Sequence, residues 1–436
     1  MKRQLDLFTS NELTIKESLI KEARSGTFAD NMKLPIHRWF RYSAGFSAEW
    51  VESLIQEEVS KNLSSDSVIL DPFSGSGTTL LAAEHLGVKS YGLESHPLIA
   101  QIANIKLMWN KVNLIEFENK ANLIINQAKQ EDVAILEAST LLKKCYSEEN
   151  LKKLFALKKV FLERNNNTYP DKLLWLGITS ILRSCSHVGT AQWQYILPNK
   201  SKSKVLEPFG ALLAKIEQMI IDIEYAKCEY SPCAKIFNLD ARLVSQIPTK
   251  SIDLVITSPP YPNNYDYADA TRLEMTFWDE IKEWKDLQTK VRKYIIRSCS
   301  QHSAADRVDL NEYLNSYLLK PISTSITQIC HELAEIRKIK SGRKAYHIMI
   351  PAYFLDMSKV FIRLRDLCKN GAKLCFVIGD SAPYGIYVPT EKLLGQLAIY
   401  AGFKSYYFEK IRDRNIKWKN RKHNIPLHEG RLWIQG

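Results

Sequence analysis

Two short loops in this chain carry residue types whose spacing suits chemistry. The first is Asp71-Pro72-Phe73-Ser74-Gly75-Ser76-Gly77-Thr78-Thr79, set between an apolar run and a helical run. Gly75 and Gly77 let the backbone approach a ligand closely, and the helix N-terminus behind them favours a carboxylate or phosphate. Thr78 and Thr79 add hydroxyls in the first turn. A Walker loop ends in Gly-Lys-Ser/Thr and a dinucleotide fingerprint needs a third glycine; this loop has neither, so ATP and NAD are poor fits. The second loop is Thr257-Ser258-Pro259-Pro260-Tyr261. The exocyclic amino nitrogen of a nucleobase is a poor nucleophile because its lone pair is delocalised into the ring. Ser258 Oγ and the Pro259 carbonyl are two acceptors able to draw such a nitrogen toward a pyramidal geometry, and proline brings no competing N–H. Two successive prolines stiffen the loop. Tyr261 offers a face for an extruded base, a stack worth about 1–3 kcal/mol. A base inside a duplex must leave the helix to be reached.

The first loop resembles the first motif of the DNA amino-methyltransferases, Asp-Pro-Phe-x-Gly-Ser-Gly-Thr-Thr, at every fixed position. The resemblance implies a Rossmann-like α/β methyltransferase sheet with S-adenosylmethionine as cofactor. Asp71, Pro72, Phe73, Gly75, Ser76, Gly77 and Thr78 would wrap its methionine part. Glu94 stands about 20 residues after the glycines, where a carboxylate accepts both ribose hydroxyls. Asp240, in Asn-Leu-Asp-Ala-Arg, is expected to accept from the adenine amino group. Ala44-Gly45-Phe46-Ser47-Ala48-Glu49-Trp50 resembles the family motif that packs on the methionine moiety, which brings in Phe46; an ordinary capped helix accounts for it as well. Ser-Pro-Pro-Tyr is the form typical of N4-cytosine enzymes, and Asp or Asn in place of Ser is typical of N6-adenine enzymes. The expected reaction is direct transfer to N4 of cytosine in double-stranded DNA, with Ser258, Pro259, Pro260 and Tyr261 as the catalytic residues. N6-adenine is the alternative; an RNA base amino group or a silent DNA-binding subunit are further readings. C5-cytosine chemistry needs a Pro-Cys thiolate, and Pro232-Cys233 precedes the third strand instead. By family, such an enzyme protects host DNA from a restriction endonuclease that acts independently.

The elements that must position these residues follow from pattern. Val68–Leu70 reads as a buried strand, Thr78–Leu86 as a helix, Ser90–Leu93 as a strand and Pro97–Trp109 as a helix: the alternation of a parallel sheet covered on both faces. Residues 112–230 have helical spacing, broken at ERNNNTYPDK, and read as a helical insertion between the second and third strands. Strands return at Lys235–Leu239 and Leu254–Thr257. Phe354–Lys369 reads as a helix stopped by Asn370-Gly371, Lys373–Ile378 as a strand, and Thr390–Ala401 as a helix stopped by Gly402. Lys404–Lys410 and Arg431–Ile434 close as strands. Residues 11–25 read as an amphipathic helix, and Ser47 as the N-cap of a helix reaching Asn62. The chain thus divides into an N-terminal segment 1–65, a catalytic sheet in the pieces 66–110, 234–261 and 350–436, and two excursions, 111–233 and 262–349.

With 60 Lys and Arg against 48 Asp and Glu, the 436 residues carry a formal net charge of +12. Such a surplus favours a polyanion, here double-stranded DNA, though a merely basic protein shares it. Three stretches interleave cations and aromatics in the way that suits phosphate contact and stacking. They are 183–204 with Arg183, Trp193 and Tyr195, 282–302 with Lys290, Arg292, Lys293 and Arg297, and 412–422 with Arg414 and Lys417. Each also reads as a solvated charged face. Asn263, Asn264 and Tyr265 follow the catalytic loop and can bond a base edge or stack, and Asp266 is a candidate extra acceptor or proton relay. No secretory signal follows the basic start, and no stretch has the roughly 18 apolar residues of a membrane span. A cytoplasmic protein with reduced thiols and no membrane partner is expected. Cys228 and Cys233 invite a zinc reading, but no second Cys/His pair stands at matching spacing, and no metal is expected.

Overall fold

The computed structural model describes residues 28–42, 45–61, 64, 66–190, 195–305, 308–339, 344–414 and 425–436. Helices α1 (Phe28–Asn31) and α2 (Ala48–Lys61) precede strand β1 (Val68–Asp71). Helix α3 (Thr78–His85), strand β2 (Lys89–Leu93) and helix α4 (Pro97–Lys106) continue the expected alternation. Next come α5 (Leu114–Ala128), α6 (Thr140–Cys145), α7 (Glu148–Arg164), α8 (Tyr169–Cys185), the hairpin β3 (Val188–Thr190) and β4 (Ile196–Ser201), and α9 (Pro208–Glu229). Strands β5 (Ala234–Phe237) and β6 (Ile252–Thr257) return to the sheet. Short helices α10 (Arg272–Phe277), α11 (Ser300–Ala305) and α12 (Leu310–Leu314) lead into α13 (Ser323–Ile339) and α14 (Tyr346–Leu367). Strand β7 (Cys368–Gly379), helix α15 (Thr390–Tyr400) and the hairpin β8 (Ser405–Arg414) and β9 (Leu427–Gln435) complete the chain.

The central sheet has the order β5-β2-β1-β6-β7-β9-β8. Its first five strands run parallel, and β9 runs antiparallel between β7 and β8. The central strands β1 and β6 are apolar runs buried on both faces, as parallel strands under two helix layers must be. Strand order reverses between β1 and β6. The carboxyl ends of those two strands therefore flank the crevice in which open α/β sheets bind ligands. This is the Rossmann-like sheet expected from the motifs, with α5–α9 inserted between β2 and β5.

Local chemistry explains the boundaries. Ser47 caps α2: its hydroxyl accepts from Trp50 N at 3.4 Å and its carbonyl from Val51 N at 3.2 Å. The break at ERNNNTYPDK is a capping box, in which Thr168 and Asp171 satisfy each other's backbone N–H groups at the start of α8. Helix α8 is apolar nearly all round, with Leu173, Leu174, Leu176, Ile178 and Leu182 buried, because it is the centre of the inserted bundle. A buried ion pair joins that bundle to the N-terminal segment. Asp222 of α9 holds the Arg38 guanidinium and accepts from Ile36 N at 3.0 Å and Trp39 Nε1 at 2.9 Å.

Three expectations need correction. Helix α14 begins at Tyr346 and ends at Leu367, so Asn370-Gly371 is no helix cap. It lies inside β7, where the register against β6 slips and Gly371 takes a positive φ of 83°; a bulge and a cap draw on the same residue types. Residues 112–230 also hold the hairpin β3–β4, one of whose strands is only three residues long. The closing strands are longer than their apolar cores. The helix read over residues 11–25 lies outside the described residues.

Candidate active site

The cofactor-side loop turns on two glycines in left-handed backbone, Gly75 (φ 51°) and Gly77 (φ 89°), where a Cβ would be strained. Asp71 ends β1 and is 1% exposed. Its Oδ1 accepts from Phe73 N at 3.0 Å and from the Thr257 hydroxyl at 2.6 Å; its Oδ2 accepts from the Thr79 hydroxyl at 2.6 Å. Burial pushes its carboxyl up to about 6, against those hydrogen bonds. Glu94 follows β2 and accepts from Gly75 N at 2.9 Å and His96 N at 2.7 Å. Burial pushes it up to about 7, and the Asp71 charge adds to that rise. Asp71 and Glu94 thus stand at the carboxyl ends of two adjacent strands, and their carboxyl groups are acceptors of the kind that suits ribose hydroxyls and a sulfonium. Pro72, Ser76 and Thr78 are buried in the same loop and Phe73 is half-buried. Phe46 packs edge-on to Trp50, 5.6 Å between centroids, against the cluster containing Ile69 and Ile256. Asp240 is engaged otherwise. Both its oxygens accept from Arg242 (2.9 and 2.6 Å), which also reaches Asp356 at 2.9 Å.

The Ser-Pro-Pro-Tyr loop, the candidate catalytic loop, begins where β6 ends. Thr257 is buried and donates to Asp71, so the two loops are tied together across the point where strand order reverses. Ser258 is half-buried and Pro259 buried. Burial pushes the Tyr261 hydroxyl well above its usual range. The Tyr267 ring meets Tyr265 edge-on, 4.5 Å between centroids. Tyr353 of α14 is fully buried, edge-on to Phe354, with a hydroxyl lacking a partner among the described residues. Arg414, at the end of β8, lies over the Tyr261 ring, 5.3 Å from its centroid. Thr257 and Tyr267 lie in the two stretches already read from the sequence, whereas Tyr353, inside a long helix, carries no local signal that would have singled it out.

Several residues expected on DNA are turned inward. Arg183 is ion-paired to Glu274 and donates to Ala270 O at 2.6 Å. Tyr195 packs on Tyr265, 5.3 Å between centroids, and accepts from Asp266 N. Tyr265 is 7% exposed. Asn264, at φ 66°, bonds Ser300 N at 2.9 Å. Asn263 is exposed, though its Oδ1 accepts from Tyr265 N at 3.1 Å, and Lys293 is exposed. Trp193 and Lys417 lie outside the described residues. Arg292 and Arg297 are spent on Asp266 and Asp356.

Asp266 is a buried hub rather than a relay open to a base. Burial alone would raise its carboxyl; the hydrogen bonds and charges of His302 and Arg292 outweigh it and hold the group at about 2. Asp266, Cys299 and His302 bring three ligand atoms within 4.8 Å of one another. Their donor set suits a hydrogen-bonded lock better than a metal. The Asp266 oxygens already accept from Ala268 N at 3.2 Å and Arg292 Nη2 at 2.7 Å, and burial pushes the Cys299 thiol up to about 12. Cys233 donates to Val88 O at 3.1 Å, and Cys228 is exposed.

Residues 11–105, which include the cofactor-side loop and Glu94, match the family model described as DNA methylase. The chain is 28% identical over 434 residues to the Type II methyltransferase M.BsoBI of Geobacillus stearothermophilus, covering 89% of this chain and 82% of that protein. It is 24% identical over 436 residues to the Type II methyltransferase M.AvaI of Nostoc sp., covering 90% and 84%. Against M.MvaI of Kocuria varians it is 21% identical over 430 residues, covering 91% and 88%. Among solved structures, the rRNA methyltransferase aviRa from Streptomyces viridochromogenes overlaps with a TM-score of 0.26 at 9% identity, covering 90% of this chain and 85% of that one. That overlap is too loose to bear on the fold. The likeness to the DNA amino-methyltransferases of restriction-modification systems, read first from the motifs, holds along most of the chain. S-adenosylmethionine is the methyl donor.

Proposed function

We propose that this methyltransferase modifies the N4 amino group of cytosine in double-stranded DNA, as the modification enzyme of a restriction-modification system in the cytoplasm of a prokaryote. The observation that carries the reading is the hydrogen bond from Thr257 to Asp71, because it brings the donor-side and acceptor-side loops to one crevice. Among the described residues no helix is long and apolar enough to cross a membrane. The cognate endonuclease would act on its own.

When bound, S-adenosylmethionine supplies an electrophilic methyl group; the rest is this chain's positioning. The loop from Asp71 to Gly77 and the carboxylate of Glu94 hold the donor. Ser258 Oγ and the Pro259 carbonyl accept the two amino hydrogens and free the nitrogen lone pair from the ring. Tyr261 stacks the extruded base, and Pro260 keeps the loop stiff. Ser at position 258 favours cytosine over adenine. Incubation with tritiated S-adenosylmethionine and unmethylated DNA or RNA, followed by nucleoside chromatography, tests this. Label in N4-methylcytosine is expected. Label in N6-methyladenine would transfer the reading to adenine, and label in RNA alone would change the substrate class.

A further inference from the structure

We infer that Arg414 is a positioning residue for the base platform: it seats the ring of Tyr261 and so fixes the face on which the target base stacks. The inference rests on the stacking role given to Tyr261 above. Arg414 arrives from the far edge of the sheet, on β8, and its guanidinium carbon stands 5.3 Å from the Tyr261 centroid. It is anchored from behind. Nη1 donates to Asp380 O at 2.9 Å, and Nε lies 3.8 Å from Glu429 Oε2. Asp380 is itself held, accepting from His428 N at 2.9 Å with its second oxygen 3.0 Å from His428 Nδ1.

Gly379 gives an independent sign. It is the last residue of β7, and its φ is not among the positive values, so the backbone there does not call for glycine. A Cβ at that position would collide with the Arg414 guanidinium. The glycine is the room in which the arginine lies. The loop after β6 supplies Tyr261, β8 supplies the cation, and β7 leaves the space in which that cation lies. A cation over one face of a ring holds its orientation, and stacking of the target base would use the opposite face. Arg414 therefore works through Tyr261 and not as a free phosphate grip.

The test uses the full chain with tritiated S-adenosylmethionine and unmethylated phage DNA, comparing Arg414→Met, Arg414→Lys, Gly379→Ala, Tyr261→Ala and the double variant Arg414→Met/Tyr261→Ala. Arg414→Met and Gly379→Ala should each lower kcat by about tenfold while leaving KM for the cofactor within about twofold, with Arg414→Lys in between. The double variant should be no slower than Tyr261→Ala alone, since the effect passes through the ring. Losses that multiply in the double variant, a matching rise in cofactor KM, or wild-type turnover in Arg414→Met beside a crippled Tyr261→Ala would each overturn the inference alone. Full turnover in Tyr261→Ala would remove the stacking role and this inference with it.

Discussion

Ser258, Asp71 and Glu94 sit within one crevice, yet each answers to a different physical demand. Ser258 must present an acceptor, so Ser258→Ala should lower kcat by about a hundredfold with little change in cofactor KM, by analogy with losing one preorganised polar contact in a water-poor site. A kcat within a few fold of wild type in steady-state assays would contradict that. In the proposed site Glu94 accepts hydrogen bonds from both ribose hydroxyls as the carboxylate, and burial has pushed its carboxyl up to about 7. As pH falls through about 7 the carboxyl takes a proton, so cofactor affinity should fall. Ligand-free stability should move the opposite way. A carboxyl raised in the folded state binds protons more tightly than in the unfolded chain, near 4.3. Its stabilising contribution is full below that value and is lost as pH rises through about 7. Calorimetric titration and thermal melts from pH 8 to pH 6 check both signs, and Glu94→Gln should flatten the affinity profile. The two loops and Glu94 could be singled out in the sequence because a glycine turn, a Pro-Pro corner and a strand-end carboxylate are local signals. Arg183 and Glu274, 91 residues apart, show the limit: a cation in a basic stretch looks solvated until a distant partner is in place.

At the scale of elements, the alternation of strand and helix was readable up to α4 because β1 is a buried apolar run, glycines mark the turns before and after α3, and Pro97 opens α4. The slip in β7 was not, since Asn-Gly serves a bulge as well as a helix end. The inserted bundle was visible as helical spacing, but its attachment was not. Asp222, 0% exposed, takes the Arg38 guanidinium and two further donors across more than 180 residues. Burial raises its carboxyl against that pairing. Asp222→Asn should leave a buried guanidinium without its counter-charge and cost about 3–5 kcal/mol in denaturant unfolding. A loss below about 1 kcal/mol would show that the clamp does not hold the N-terminal segment to the bundle.

For the whole molecule, the +12 charge overstates the cations available to DNA. Arg38, Arg183, Arg242, Arg292 and Arg297 are paired inside, and Lys106 is buried beside the His37 carbonyl at 3.1 Å. The account depends instead on one crevice joining a donor pocket to a base platform. Its most direct test is to express the chain in a host whose DNA lacks base methylation and to identify the modified nucleoside and its sequence setting. The account predicts N4-methylcytosine confined to one short recurring motif, absent when Ser258→Ala is expressed. 5-Methylcytosine, which requires a thiolate that this crevice does not present, or unmodified DNA from a soluble, cofactor-binding protein, would contradict it.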